Sequence, residues 1–129
     1  MTMKKLLFDT DVLIDYLRGK SEAKEYIDTK QHVLYISAIT MAELYAGVRE
    51  GEEYKKLEMF IETFEVIDLN SSIAKTGGLF RNKYKPSHGT GLADALIAAT
   101  AQEISAQIVT FNIKHFPMFS DVIKPYERH

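Results

Sequence analysis

Runs of a few apolar residues alternate along this chain with segments of helical length and period, and that rhythm fixes the class of fold. Lys4 to Phe8 is a short apolar run, and the stretch behind it sets Leu13, Ile14 and Leu17 on one helical face with Asp11, Asp15 and Arg18 opposite. Ser21 to Lys30 reads as a polar helix, Val33 to Ile36 as a second strand, and Ala38 to Val48 as a buried helix with Gly51 as punctuation. Leu57, Phe60, Ile61 and Phe64 recur at helical spacing, which predicts an amphipathic helix from Glu52 to Phe64 before the strand Val66 to Leu69. A further helix is expected over 71–84, where Gly77 and Gly78 permit close packing, and then a loop from Lys85 to Gly91. An Ala-rich helix to about Ser105, a strand from Gln107 to Thr110, a turn around Asn112 and a short strand near Val122 and Ile123 follow. Strands that alternate with helices pair in parallel through right-handed crossovers. The expectation is a three-layer α/β/α sandwich whose central parallel sheet has about five strands, in a single domain spanning 1–129.

Three acids interrupt otherwise apolar stretches: Asp9 closes Leu6-Leu7-Phe8, Glu43 lies within Ile39 to Ala46, and Asp94 lies within Leu92 to Ala99. A lone buried carboxylate costs several kcal/mol or takes up a proton, so three in core-like segments point to a shared counter-charge. Each has a plainer reading: Asp9 as a helix N-cap, Glu43 as the return arm of a capping box with Thr40, and Asp94 as a first-turn acid. Ligands of a doubly covered parallel sheet bind beyond the carboxyl ends of its strands, and Asp9, Glu43, Asp94 and Asn112 can all be gathered at that rim. Oxygen donors alone select Mg²⁺ or Mn²⁺ over zinc, and such ions leave positions for water and phosphate oxygens. The chemistry that follows is metal-assisted hydrolysis of a phosphodiester.

Composition narrows the setting. A formal net charge of -2 gives no overall attraction to nucleic acid, so any such contact rests on a local patch. With no cysteine there is neither a disulfide frame nor a thiolate site, which fits a reducing compartment, and no stretch reaches the ~20 apolar residues of a membrane span. A cytoplasmic protein without membrane association is expected.

The segments Leu7 to Leu13, Ile39 to Leu44, Leu92 to Ala98 and Val109 to Phe116 resemble, in order and spacing, the PIN-domain ribonucleases, and within them the VapC-type toxins of toxin-antitoxin pairs. The resemblance spans nearly the whole chain. It implies a five-stranded parallel sheet between helices, Mg²⁺- or Mn²⁺-dependent endoribonuclease activity on RNA, a homodimer, and a small antitoxin that occludes the site. By position, Asp9, Glu43 and Asp94 match the metal-binding acids, Asn112 matches the polar residue of the fourth motif, and Thr10 and Thr110 offer supporting hydroxyls. His115 departs from the pattern, standing where many relatives have a fourth acid. It either bonds a metal-bound water or packs beside Phe116. Asp11 is extra and is expected on a solvated face with Asp15 and Arg18. Arg18, Arg49, Arg81 and Lys114, with Lys83 and Lys85, are candidate contacts for RNA phosphates or an ordinary scatter of solvated charge. Tyr16, Tyr45 and Tyr84 are candidate stacking partners for bases or plain core residues.

Two alternatives stand beside this reading. Asp9-Thr10-Asp11 after an apolar strand also resembles the first motif of haloacid-dehalogenase-type phosphatases, in which Asp9 attacks phosphorus and Asp11 shuttles the proton. The other is a catalytically degenerate domain that only binds RNA or a protein.

Overall fold

The structure, a computed structural model, describes residues 4–30 and 32–128; the remainder of the expected 1–129 domain lies outside the described residues. The chain runs β1 (Lys5–Phe8), α1 (Thr10–Leu17), α2 (Ser21–Asp28), β2 (Val33–Ser37), α3 (Ala38–Ala46), α4 (Glu52–Ile61), β3 (Glu65–Ile67), α5 (Ser71–His88), α6 (Leu92–Ile104) and β4 (Gln107–Val109), then a 3₁₀ turn at Ile113–His115. The sheet has the order β3-β2-β1-β4 and is parallel throughout, with Leu6 opposite both Leu34 and Gln107.

Alternation along the strands builds the two covered faces, because successive side chains of a strand point to opposite sides. Leu6, Phe8 and Val109 join a core with Val12, Leu13, Ile27, Leu57 and Phe60, contributed by α1, α2 and α4. Leu7 and Ile108 join a second core with Ile97, Ala98, Ala101 and Phe116, contributed chiefly by α6. Residues 6–8 are thus buried on both faces, and the three-layer α/β/α arrangement follows.

The fifth strand does not form among the described residues: the sheet has four strands, and Ile123 makes only an isolated bridge to Val109. Ile123 donates its N–H to Ile108 O at 2.8 Å and accepts from Thr110 N at 3.0 Å. In a parallel ladder the next inward-facing donor lies two residues on, and that residue is Pro125, which has no N–H.

The expected loop at Lys85 to Gly91 is shorter than its composition suggested. Helix α5 continues through Pro86 to His88, and Gly89 ends it with a left-handed φ of 67° while its N–H bonds Lys85 O. Proline within the last turns forfeits one helix hydrogen bond, and the turn survives that loss. At the other end of the crossover α6 begins at Leu92, so Asp94 falls in its first turn as expected. Ser37 caps α3 by accepting from Ile39 N at 3.1 Å. Glu43 therefore lies well inside α3, and the capping box with Thr40 is ruled out.

Close approach of α5 to α6 depends on Gly77, where an added Cβ would lie 2.6 Å from Leu96 Cδ2 and 3.1 Å from Leu96 Cα; at Gly78 nothing lies within 4 Å. Gly77→Ala is expected to lower the free energy of unfolding by about 1–3 kcal/mol through overpacking. Gly78→Ala is expected to raise it by about 0.5–1 kcal/mol, as alanine for glycine does in an open helix position. Urea titrations of the two variants check the pair, and equal shifts would refute close packing at Gly77.

Candidate active site

Asp9 leaves the carboxyl end of β1, a central strand, with its own N–H bonded to Val109 O at 3.0 Å. Its side chain is held from both sides. Oδ1 accepts from Thr10 N at 2.8 Å, and Oδ2 accepts from the buried Thr110 hydroxyl at 2.8 Å. Thr110 Oγ1 in turn accepts from Asn112 N at 3.0 Å, so the turn after β4 is tied to the same carboxylate.

Glu43 joins this group through Thr10, whose hydroxyl donates to Glu43 Oε1 at 2.6 Å and lies 3.3 Å from Thr40 Oγ1. Asp94 approaches from α6. Its charge is felt at Asp9, and its Oδ2 lies 3.0 Å from His115 Nδ1. His115 therefore pairs with an acid, where the sequence left a bond to a metal-bound water or packing beside Phe116 as its two readings. Its carbonyl accepts from the buried Thr90 hydroxyl at 2.9 Å, which fixes the ring next to Asp94.

Burial of the three acids differs from expectation. Only Asp9 is buried, at 5% exposure; the side chain of Asp94 is 24% exposed and Glu43 is exposed. Apolar neighbours along a helix misled here, since Met41 and Leu44 pack inward while Glu43 turns to the rim. Among the described residues no three acidic or imidazole side chains already stand close enough to ligate one ion. Mg²⁺ takes one or two carboxylates and completes its shell with waters, so a hard cation here would be held by one or two of these acids directly and reach the others through water.

Asp11 also departs from expectation. Its Oδ2 accepts from Phe111 N at 3.0 Å and lies 3.3 Å from Thr110 Oγ1 and 3.4 Å from Asn112 Nδ2. Its Oδ1 is buried with no hydrogen-bond partner among the described residues. Asp15, expected on the same solvated face, is 1% exposed and is gripped by Arg128 and Tyr126. These contacts span about a hundred residues, and no local spacing announces them.

Electrostatics mark the group as short of positive charge. Burial pushes the Asp9 carboxyl from 3.8 up to about 7, and the neighbouring charge of Asp11 adds to it. Hydrogen bonds from Thr110 and Thr10 pull it back without cancelling the rise, and Asp94 raises it again. Asp11 is raised as well, mainly by burial, with the Phe111 and Val12 N–H groups and the Arg128 charge working against it. The carboxylate oxygens of Asp9, Asp11 and Asp94, one of them buried on Asp11 without a partner among the described residues, are the donor type that suits a hard divalent ion.

Of the expected phosphate contacts, Arg18 and Arg49 line one groove of about 500 Å³ together with Glu43, Gly47 and Lys56. Lys56 had no sequence signal. Arg81 is exposed on α5, and Lys114 is exposed in the 3₁₀ turn beside His115. The three tyrosines are engaged within the fold: Tyr16 stacks on Phe60 at 4.4 Å, Tyr45 donates to Glu58, and Tyr84 packs against Phe80 and His88.

Fold and site together define a class: a parallel α/β/α domain with an oxygen-rich acidic group beyond the carboxyl ends of its central strands. The PIN domain model matches residues 6–120. The chain is 37% identical over 124 residues to Ribonuclease VapC10 of Mycobacterium tuberculosis, covering 94% of this chain and 92% of that one. It is 38% identical over 125 residues to Ribonuclease VapC19 of the same organism, covering 93% and 98%. A toxin-antitoxin complex from Klebsiella pneumoniae contains a chain that superposes with a TM-score of 0.83 at 34% identity, covering 95% of this chain and 99% of that one. In VapBC2 from Rickettsia felis, bound to a DNA fragment from its promoter, the values are 0.74 and 26%, covering 92% and 96%. The chain belongs to the PIN-domain family and to the VapC group within it.

The raised Asp9 carboxyl has a stability consequence. Its folded-state value lies above the unfolded one, so the folded form binds this proton more tightly, and the metal-free protein loses stability as pH rises from about 4 through about 7. Asp9→Asn is expected to raise the melting temperature in EDTA at pH 8 by roughly 3–8 °C, a gap that narrows at pH 5. Melts of both proteins at the two pH values check this, and a lower melting temperature for the variant at pH 8 would contradict it.

Proposed function

We propose that this chain is a divalent-metal-dependent endoribonuclease and the toxin of a toxin-antitoxin pair, with Asp9, Glu43 and Asp94 as the acids that hold Mg²⁺ or Mn²⁺. The observation that carries the reading is the meeting of Asp9, Asp11, Glu43 and Asp94 at the strand ends, where Asp9 is buried and Asp11 Oδ1 is buried without a hydrogen-bond partner among the described residues. Such an ion, when bound, acidifies a water and offsets negative charge developing at phosphorus. The remaining work falls to the chain. Thr10 and Thr110 orient the Asp9 carboxylate between two strands, and Thr10 also fixes Glu43. His115 aims Asp94 by holding its Oδ2. Asn112, exposed on the turn after β4, supplies a polar group at the rim.

Arg18 and Arg49, joined by Lys56, are positioned in the groove beside Glu43 to hold the RNA backbone; Lys114 and Arg81 complete the proposed set. A local patch of this kind reconciles nucleic-acid binding with a net charge of -2. The partner is a small cognate antitoxin, in keeping with the toxin-antitoxin complexes that this fold resembles. The proposed homodimer is supported by Leu79 and Leu92, which stand 58% and 52% exposed on α5 and α6. Single-domain organisation and a cytoplasmic location belong to the same proposal. Among the described residues no helix is long and apolar enough to cross a membrane.

The phosphatase alternative is not favoured. The match of residues 6–120 to the PIN domain model and the likeness to VapC ribonucleases over most of the chain support the nuclease reading over it. A merely binding domain would not need the Asp9 cluster to remain so poorly compensated.

Cleavage of tRNA and rRNA in Mg²⁺ or Mn²⁺, abolished by EDTA, is the expected behaviour. Asp9→Asn and Asp94→Asn should each lower the cleavage rate at least about a hundredfold, and His115→Ala by about tenfold. RNA cleavage unchanged in EDTA or in Asp9→Asn would sink the proposal. Arg18→Ala, Arg49→Ala and Lys56→Ala should instead raise KM and reduce the salt dependence of RNA binding by roughly one phosphate contact each. A salt dependence unaltered in all three would remove the groove from the RNA path.

A further inference from the structure

Segment 123–128 forms a strap beside the turn that follows β4. It starts at the Ile123 bridge to β4, where Thr110 N bonds Ile123 O, and it ends on α1. Arg128 grips Asp15 with two nitrogens, Nη2 to Oδ1 at 3.0 Å and Nε to Oδ2 at 3.3 Å. Tyr126 adds its hydroxyl to Oδ2 at 2.8 Å. A carboxylate 1% exposed must be paired, and the flat guanidinium fork matches it on both oxygens.

The same two side chains cover the turn after β4. Arg128 Cζ lies 4.3 Å from the centre of the Phe111 ring, and the Tyr126 ring meets Phe111 edge-on at 5.0 Å. Phe111 in turn donates its N–H to Asp11 Oδ2, and its neighbours Thr110 and Asn112 carry the hydroxyl on Asp9 and the polar group at the rim. Asp11 and Asp15 are one helical turn apart on α1, so they share a face of that helix. The turn is therefore held between α1 and the strap, with Arg128 touching both.

We infer that Arg128 is a positioning residue of the proposed nuclease: by clamping Asp15 while covering Phe111, it fixes the Thr110–Asn112 turn against the start of α1, where Asp9 stands. The inference rests on the nuclease reading for its functional part. Misplacement of catalytic groups by about 1 Å can cost a hundredfold in rate, so a loosened clamp should be visible in turnover while the RNA groove stays intact.

The test compares Arg128→Ala, Arg128→Lys and Tyr126→Phe with the wild-type chain on one RNA substrate in Mn²⁺, well below the melting temperature of each. Amide hydrogen exchange is followed in the same proteins without RNA. Arg128→Ala is expected to lower kcat about tenfold with KM within twofold, with partial recovery in Arg128→Lys and a smaller loss in Tyr126→Phe. Exchange at Phe111 and Asn112 should quicken while the α6 amides keep wild-type protection. An unchanged kcat overturns the inference, as does a raised KM at constant kcat, which would make Arg128 a phosphate contact instead. Faster exchange throughout the chain also overturns it, by reducing the clamp to general stability. If Arg128→Ala fails to fold, the other two variants carry the same readouts. Absence of cleavage by the wild-type chain would defeat the nuclease reading, and it is distinguishable because exchange at Phe111 reports the clamp with no RNA present.

Discussion

The Asp9 carboxylate, buried where β1 and β4 end side by side, is the constraint around which the rest of this domain is organised. Two donors hold it, the Thr10 N–H that opens α1 and the Thr110 hydroxyl that follows β4. Hydrogen bonds to a charged acceptor contribute about 1.5–3 kcal/mol each, yet these two leave the carboxyl raised to about 7. Desolvation together with the Asp11 and Asp94 charges wins. A buried acid raised this far is the kind of group that suits the proposed metal site.

The order of the strands explains why these groups meet. With β1 inside the sheet, the residue that follows it faces β4 on one side and the helix entry of β2 on the other. Thr110 and Glu43 therefore reach the same edge, and the α6 crossover delivers Asp94 in its first turn. The groove beside Glu43 extends this edge with Arg18, Arg49 and Lys56, residues scattered through the sequence and collected only by the packing of α1, α3 and α4. In the proposed reading, this local cationic lining rather than net charge would hold the RNA backbone.

Much of this was legible in the sequence because it is written in short-range pattern. The alternation of apolar runs with helical periods gave the layered α/β class, and Asp9, Glu43 and Asp94 were visible as isolated acids in apolar company. What failed depended on long-range geometry. Glu43 is exposed although its neighbours are apolar, because a helix rim can bring one polar side chain out between buried turns. Asp11 and Asp15 resembled a solvated helix face, and their partners Phe111 and Arg128 stand about a hundred residues away. Pro86 suggested a loop where the helix tolerates it near its end, and Pro125 halts a fifth strand whose apolar residues alone pointed to pairing.

Direct binding of Mn²⁺ in the absence of RNA tests the central claim most closely. Electron paramagnetic resonance of free Mn²⁺, titrated with protein at pH 8, should show a saturable loss of signal with the wild-type chain. Asp9→Asn and Asp94→Asn should weaken that binding at least about tenfold, while Arg81→Ala should leave it unchanged. Equal binding by the wild-type and Asp9→Asn proteins would mean that the buried carboxylate does not await a cation, and the account of this site would be wrong.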